Sequence, residues 1–343
     1  MYHHFCTKCS LFFLLGALLY ASACWSQTAE LQLPPQASTG PGSGEYQHEE
    51  VRFLDFASEP DGYWMFLPAA PTPSRAPVLV FVHGYGAYNP MIYGQWIRHL
   101  VRKGNIVLFP RYQENIFSPR PDDFAANVAQ ALIDAQQELT TQTSIEADWS
   151  QLTFIAHSYG GVITADLAVN FEAYGIPPIQ AALLCSPGTG PLTGGRLKTY
   201  ADLPEDFHLL VMVSEDDFVV GDEFGLKVYQ TAERVRRRNF IRQFASKREG
   251  VGVSAGHNEC YGVDLAFDSG MRNFTAKRAL RITKVDAVDY HGYWKLGDAL
   301  LDCAQRGVHC EYAFGNTEEQ RSLGEWSDGQ TVRELEVIVP ETK

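Results

Sequence analysis

The sequence has a shortage of basic residues, and this limits the partners that it can bind. It contains 28 lysines and arginines against 41 acidic residues, so its formal net charge is −13. A field of that sign repels nucleic acid and anionic membrane surfaces, and we expect neither as a partner. The densest basic cluster, Arg234–Arg242, is typical of a surface helix that runs into a strand. We interpret it as a solvated face.

The sequence also lacks an apolar run long enough to cross a bilayer, and its most apolar segment has another explanation. Lys8 precedes the apolar run at 11–19, and the small residues at 21–23 follow it, which is the pattern of a secretory signal peptide. We expect residues 1–23 to be removed. Cys24 then allows two routes, ordinary cleavage or lipidation of Cys24 as in bacterial lipoproteins. The predicted location is secreted or periplasmic, with a lipid-tethered form as the alternative.

Cysteine is scarce, with 7 in 343 residues, and no C-x-x-C pair follows the predicted signal peptide. This argues against a thiolate zinc site, and we expect no metal or organic cofactor. In an exported chain, Cys303 and Cys310 are close enough across a turn-like segment to predict a disulfide. Cys185 lies in an apolar strand and is expected in the core. Whether Cys260 forms a disulfide is left open.

Internal repeats are absent, and we expect one α/β domain over residues 45–343. Residues 24–44 are rich in proline, glycine, serine and threonine, which predicts a flexible linker. Beyond them, short apolar runs alternate with helical patterns, and strands that are apolar on both faces indicate a mostly parallel sheet covered by helices. The segment between the runs "IQAALLCSP" and "HLLVMVS" is short. It leaves no room for a large helical lid.

Ser158 occupies the position where an α/β sheet places a nucleophile. It follows the apolar run "LTFIA" and comes directly before a helical pattern. Ligands of such sheets bind at the carboxyl ends of the strands. A sharp strand-to-helix turn requires small residues two positions before and after the nucleophile, and these are Ala156 and Gly160. The helix start behind Ser158 also supplies free amides for a developing oxyanion.

The stretch "AHSYGG" resembles the nucleophile elbow G-x-S-x-G of the α/β-hydrolase family, with Ala156 in place of the first glycine. The resemblance covers roughly residues 75–260. It implies the α/β-hydrolase fold and a chain order of Ser, then an acid, then His. The implied acid is Asp217, after the run "HLLVMVS", with Glu215 and Asp216 as alternatives.

The resemblance also implies a base and an oxyanion hole. His257 lies in a glycine-containing loop where the family places its base, whereas His291 is the competitor and His83 comes too early in the chain. The family's oxyanion donors correspond here to the backbone N–H groups of Tyr85 and Tyr159. Each such donor stabilises the transition state by about 3 kcal/mol.

These residues predict a serine hydrolase that cleaves carboxylic esters, small, aryl or polymeric, through an acyl-enzyme. A peptidase or an acyltransferase of the same fold would use the same triad. A dehalogenase would need a carboxylate at the elbow, and a non-catalytic binding module would tolerate loss of the acid or the base. Segment 261–295 has no predicted role, and its aromatic residues Tyr290, Tyr293 and Trp294 are expected to cap the core, with lining of a substrate cleft as the alternative.

Overall fold

A mostly parallel sheet runs through the centre of the computed structural model, which describes residues 30–339. In this part of the chain the sheet has nine strands in the order β1-β2-β4-β3-β5-β6-β7-β8-β11. Strands β3 to β8 pair in parallel, whereas β1, β2 and β11 pair antiparallel at the two edges. The strands are β1 (Glu50–Phe56), β2 (Tyr63–Ala69), β3 (Arg75–Val82), β4 (Ile106–Pro110), β5 (Glu146–His157), β6 (Ala181–Cys185), β7 (His208–Ser214), β8 (Arg237–Gln243) and β11 (Glu336–Ile338), with a separate hairpin of β9 (Ser246–Arg248) and β10 (Val251–Val253).

Helices cover both faces of the sheet because the central strands are apolar on both sides. Every residue of β4 and β6 is buried. One core lies between the sheet and α2, α3 and α4, and a second core between the sheet and α1, α5 and α6. The α-helices are α1 (Gly94–Arg102), α2 (Pro121–Gln142), α3 (Tyr159–Tyr174), α4 (Glu223–Thr231), α5 (Phe274–Ile282), α6 (Lys295–Arg306), α7 (Cys310–Ala313) and α8 (Glu318–Arg321); 3₁₀ turns span Pro90–Tyr93 and Leu265–Phe267, and a π-helical turn, Asp289–Trp294, leads into α6.

The predicted α/β architecture is confirmed, and so is the absence of a large lid after β6. Residues 186–207 contain turns but no helix or strand. Cys185 is fully buried in β6, and Tyr293 and Trp294 are core residues as predicted. Helix α4 ends at Thr231, before the basic cluster Arg234–Arg242 that was expected to begin in a helix, because the chain turns at Ala232 and buries Val235. No helix within residues 30–339 is long and apolar enough to span a membrane.

The prediction of a flexible linker over residues 24–44 is wrong for its described part. Residues from 31 onward belong to the same compact unit as the rest of the domain. Leu31 is buried, and the Gly42 amide donates to the Asp298 carboxylate at 2.8 Å. Proline and glycine predicted flexibility here, but hydrogen bonds to distant residues hold the backbone instead. The predicted signal peptide, residues 1–23, and Cys24 lie outside the described residues.

The predicted disulfide between Cys303 and Cys310 is present and joins the end of α6 to the start of α7. Cys260 is a buried free thiol, and so is Cys185. The catalytic-loop disulfide that the sequence left open at Cys260 is therefore not formed.

Candidate active site

Ser158 lies in a sharp turn between β5 and α3, with φ 55° and ψ −122°. Such a conformation is strained for a residue with a side chain, and it occurs mainly where surrounding structure enforces it. The Ser158 amide donates to the Cys185 carbonyl at 2.9 Å. A Cβ at Gly160 would lie 2.2 Å from the Val82 carbonyl oxygen, so only glycine fits there. Ala156 is fully buried, which shows that a methyl group is accepted at the other small position.

The structure brings Ser158, His257 and Asp217 into one hydrogen-bonded chain. His257 Nε2 lies 3.0 Å from Ser158 Oγ, and His257 Nδ1 lies 2.8 Å from Asp217 Oδ2. Ser158 follows β5, Asp217 follows β7, and His257 comes from the loop after β10. The three residues therefore meet at the carboxyl edge of the sheet, as expected for an α/β fold. A base in contact with the hydroxyl, itself oriented by a third group, is the arrangement that activates a serine.

Asp217 is held as a carboxylate despite a side chain with no solvent exposure. Burial alone raises the pKa of a carboxyl group. Hydrogen bonding and charge interaction with His257, and the amides of Val219 and Val220, outweigh burial, and the pKa of Asp217 is lowered overall. Those two amides donate to Asp217 Oδ1 at 2.9 and 3.1 Å. Both carboxylate oxygens thus have partners, which fixes the acid in position to orient His257.

The alternative triad candidates lie elsewhere. Glu215 is exposed and forms an ion pair with Arg333, and Asp216 is also exposed. His291 Nε2 contacts the Pro35 carbonyl oxygen at 2.8 Å. His83 is fully buried and stacks on Tyr112, with ring centroids 4.1 Å apart. None of them contacts Ser158.

The loop after β3 brings Tyr85 to the cavity over Ser158. Its two neighbours are occupied, since the Gly84 amide donates to the Tyr93 hydroxyl at 3.0 Å and the Gly86 amide to Gln113 Oε1 at 2.6 Å. Among residues 30–339 the Tyr85 amide itself has no acceptor. Tyr159 is the first residue of α3, where an amide has no acceptor within the helix. Two donors are thus available beside Ser158.

His157 is a residue that the sequence analysis did not single out. Its Nε2 lies 2.9 Å from the His257 carbonyl oxygen, and its Nδ1 lies 2.8 Å from the Tyr93 hydroxyl. Burial, together with the nearby His257, lowers the pKa of His157 to about 3, so the ring is neutral. A carbonyl cannot donate, so the proton is on Nε2, and Tyr93 donates to Nδ1 while accepting from Gly84. One network therefore joins the Tyr85 loop to the His257 loop.

A cavity of about 210 Å³ lies over Ser158. Its lining residues come from the elbow, the loops after β3, β6, β7 and β10, and helix α5: Gly84, Tyr85, His157, Ser158, Tyr159, Thr189, Gly190, Pro191, Leu192, Val219, Val220, His257, Asn258, Tyr261, Thr275 and Arg278. Helix α5 belongs to the segment that had no predicted role. Asn273 at its start donates to the Gly86 carbonyl, which holds α5 over the Tyr85 loop.

In the described part of the chain no group of three or more histidine, cysteine or acidic side chains is arranged to hold a metal ion. The residues that line the cavity supply the Ser158 hydroxyl, the His257 imidazole and the Arg278 guanidinium.

A comparison with protein families matches residues 42–198 to the family described as Chlorophyllase. The matched range contains the Tyr85 loop and the Ser158 elbow, and it ends before Asp217 and His257. A comparison with curated proteins gives no match. The elbow, the strand order and the family match agree with one another. The chain belongs to the α/β-hydrolase superfamily and is a carboxylic ester hydrolase, similar over residues 42–198 to chlorophyllases.

Proposed function

We propose that the protein is an exported serine esterase that works through an acyl-enzyme. His257 Nε2 takes the proton of Ser158 as Oγ attacks the ester carbonyl, and the same proton then goes to the leaving alkoxide as the C–O bond breaks. Water, deprotonated by His257, attacks the acyl-enzyme and releases the acid and free Ser158. The Tyr85 and Tyr159 amides stabilise the tetrahedral oxyanion in both steps.

The observation that carries this proposal is the continuous contact from Asp217 through His257 to Ser158 Oγ, at 2.8 and 3.0 Å. The strained turn at Ser158 supports it, because strain of this kind is retained at functional positions. A non-catalytic binding module would have no reason to keep both contacts.

Export is supported by the leader pattern of residues 1–23 and by the Cys303–Cys310 disulfide, since disulfides persist mainly outside the reducing cytosol. Lipidation of Cys24 is the alternative to ordinary cleavage of the signal peptide. The mass of the N-terminal peptide of the mature protein distinguishes the two. A cavity of about 210 Å³ is small beside typical ligand pockets and favours short acyl or aryl groups at Ser158.

Hydrolysis of 4-nitrophenyl acetate by the purified protein tests the proposal. We expect Ser158→Ala and His257→Gln to lower kcat/KM by about 10⁴-fold or more, because the triad acts as a unit. His291→Gln is the matched control and should keep wild-type activity. Circular dichroism checks that each variant is folded.

Equal activity in wild type and Ser158→Ala would overturn the proposal. Matched amide substrates, and alcohols offered as acyl acceptors, separate an esterase from a peptidase or an acyltransferase, because those activities share the acyl-enzyme and differ in the bond cleaved or the acceptor.

A further inference from the structure

Among residues 30–339, Arg278 is the one permanently charged side chain that lines the cavity over Ser158. It lies on the exposed side of α5. Within residues 30–339 it forms no ion pair and no hydrogen bond. Two other arginines near this part of the fold are paired, Arg272 with Asp268 and Arg98 of α1 with Asp264. A guanidinium without a partner beside a catalytic serine is available to a ligand.

The charge around Arg278 differs from that of the whole chain. The net charge is −13, yet residues 269–284 contain no acidic residue and five basic ones: Arg272, Lys277, Arg278, Arg281 and Lys284. Acidic residues are common elsewhere in this protein. Their absence from this stretch gives the α5 side of the cavity a local positive potential. That potential attracts anions and raises their concentration at the cavity.

The cavity lining is divided between two chemical characters. The loops after β6 and β7 supply apolar groups, Pro191, Leu192, Val219 and Val220. Helix α5 and the His257 loop supply Thr275, Arg278 and Asn258. A substrate that matches both sides has an apolar part next to the valines and a charged or polar part next to α5.

We propose that this esterase prefers esters that carry a carboxylate, which Arg278 binds while Ser158 attacks the ester carbonyl. A guanidinium presents parallel N–H donors that match the two oxygens of a carboxylate. This inference rests on the esterase function proposed above. It assigns Arg278 a role in substrate selection and none in the acyl-transfer steps.

A matched pair of substrates tests the inference, 4-acetoxybenzoate and its neutral analogue 4-acetoxybenzamide. The readout is the ratio of their kcat/KM values. We expect wild type to favour the benzoate, with a preference that falls as ionic strength rises. Arg278→Gln should lower the ratio about tenfold or more, the size expected for a lost hydrogen bond to a charged group. Arg278→Glu should invert it.

Arg281→Gln is the control, because it removes the same charge from the same helix outside the cavity lining. It should leave the ratio within a factor of about two, as a screened surface charge would. A ratio that is the same in wild type and Arg278→Gln, or that changes equally in both variants, overturns the inference. If wild type hydrolyses neither ester nor 4-nitrophenyl acetate, the esterase proposal itself is wrong, which is a different result.

Discussion

At the scale of single residues, His157 links the pH stability of the domain to its active site. The ring is fully buried, and its pKa is about 3 against an ordinary value of 6.5. Between these values the histidine of the unfolded chain is protonated and that of the folded chain is not. The unfolded state then binds more protons, so the free energy of unfolding falls as the pH is lowered from 6.5 towards 3.

Replacing His157 by glutamine tests this linkage. The glutamine amide can still donate to the His257 carbonyl, but it does not titrate. We expect His157→Gln to be less stable than wild type at pH 7, because the bond with Tyr93 is lost. Between pH 6.5 and 5 the free energy of unfolding of His157→Gln should fall by about 2 kcal/mol less than that of wild type. Urea unfolding at several pH values measures both; parallel curves for the two proteins would contradict the assignment. His83 is also buried and has a lowered pKa, but it contributes equally to the pH dependence of both proteins and so does not affect the difference between them.

The sequence could predict Ser158 because its surroundings are local: an apolar strand before it, small residues beside it and a helix after it. It could not predict the part that His157 plays. That residue occupies a position of the elbow with no fixed identity, and its contact with Tyr93 joins residues 64 positions apart. The sequence also could not determine which of Asp217 and its two acidic neighbours is the acid of the triad, because only the fold decides which of three adjacent carboxylates points at His257.

At the scale of elements, helix α5 shows where sequence patterns are weakest. It has nine residues, and only Ala276 and Ala279 are buried. Its place over the cavity depends on contacts between residues far apart in the chain, such as that of Asn273 with the Gly86 carbonyl. The long helix α2 is the opposite case, because it begins at Pro121 with two acids in its first turn, and these are helix-start signals that the sequence itself carries.

The Cys303–Cys310 disulfide should stabilise the domain without affecting the active site. It closes a short loop at the end of α6, beside Arg237 at the start of β8. Ser158 lies at the other end of the parallel strands, the carboxyl end. Constraining a loop of this length stabilises the folded state by about 2.5 kcal/mol in the chain-entropy description. We expect the double variant Cys303→Ser, Cys310→Ser to lose about that much in urea unfolding.

Ester hydrolysis is the second readout for that variant, and its kcat/KM should equal that of wild type. A loss of activity in the folded variant would mean that the α6 end communicates with the active site, contrary to this expectation. Treatment of wild type with a reductant should reproduce the loss of stability.

At the scale of the whole molecule, residues 31–44, the N-terminal arm, fasten the start of the domain to its C-terminal half. Gln32 and Ser327 exchange hydrogen bonds of 3.0 and 3.1 Å, and Gly42 donates to Asp298. Asp298 also contacts buried His99 at 3.0 Å. The arm therefore packs on the buried contact between His99 and Asp298.

Removal of the arm should destabilise the domain. A chain that begins at residue 45 loses the buried side chain of Leu31 and the amide partner of Asp298, and we expect its free energy of unfolding to fall by at least about 2 kcal/mol relative to a chain that begins at residue 31. Urea unfolding measures the difference. Equal midpoints and slopes would show that the arm is only a tether. No arm residue lines the cavity, so kcat of the folded protein should not change.

The position of the arm in the chain also affects when its contacts form during folding. Its partners come 256 and 295 positions later in the chain. During synthesis or translocation the arm emerges long before Asp298 and Ser327, which become available only when nearly the whole polypeptide has followed. Contacts of such long range form late, because a very large loop must close before they contribute. The contacts of this early segment with Asp298 and Ser327 are thus among the last to form, and until then its apolar residues stay open to water, chaperones and proteases.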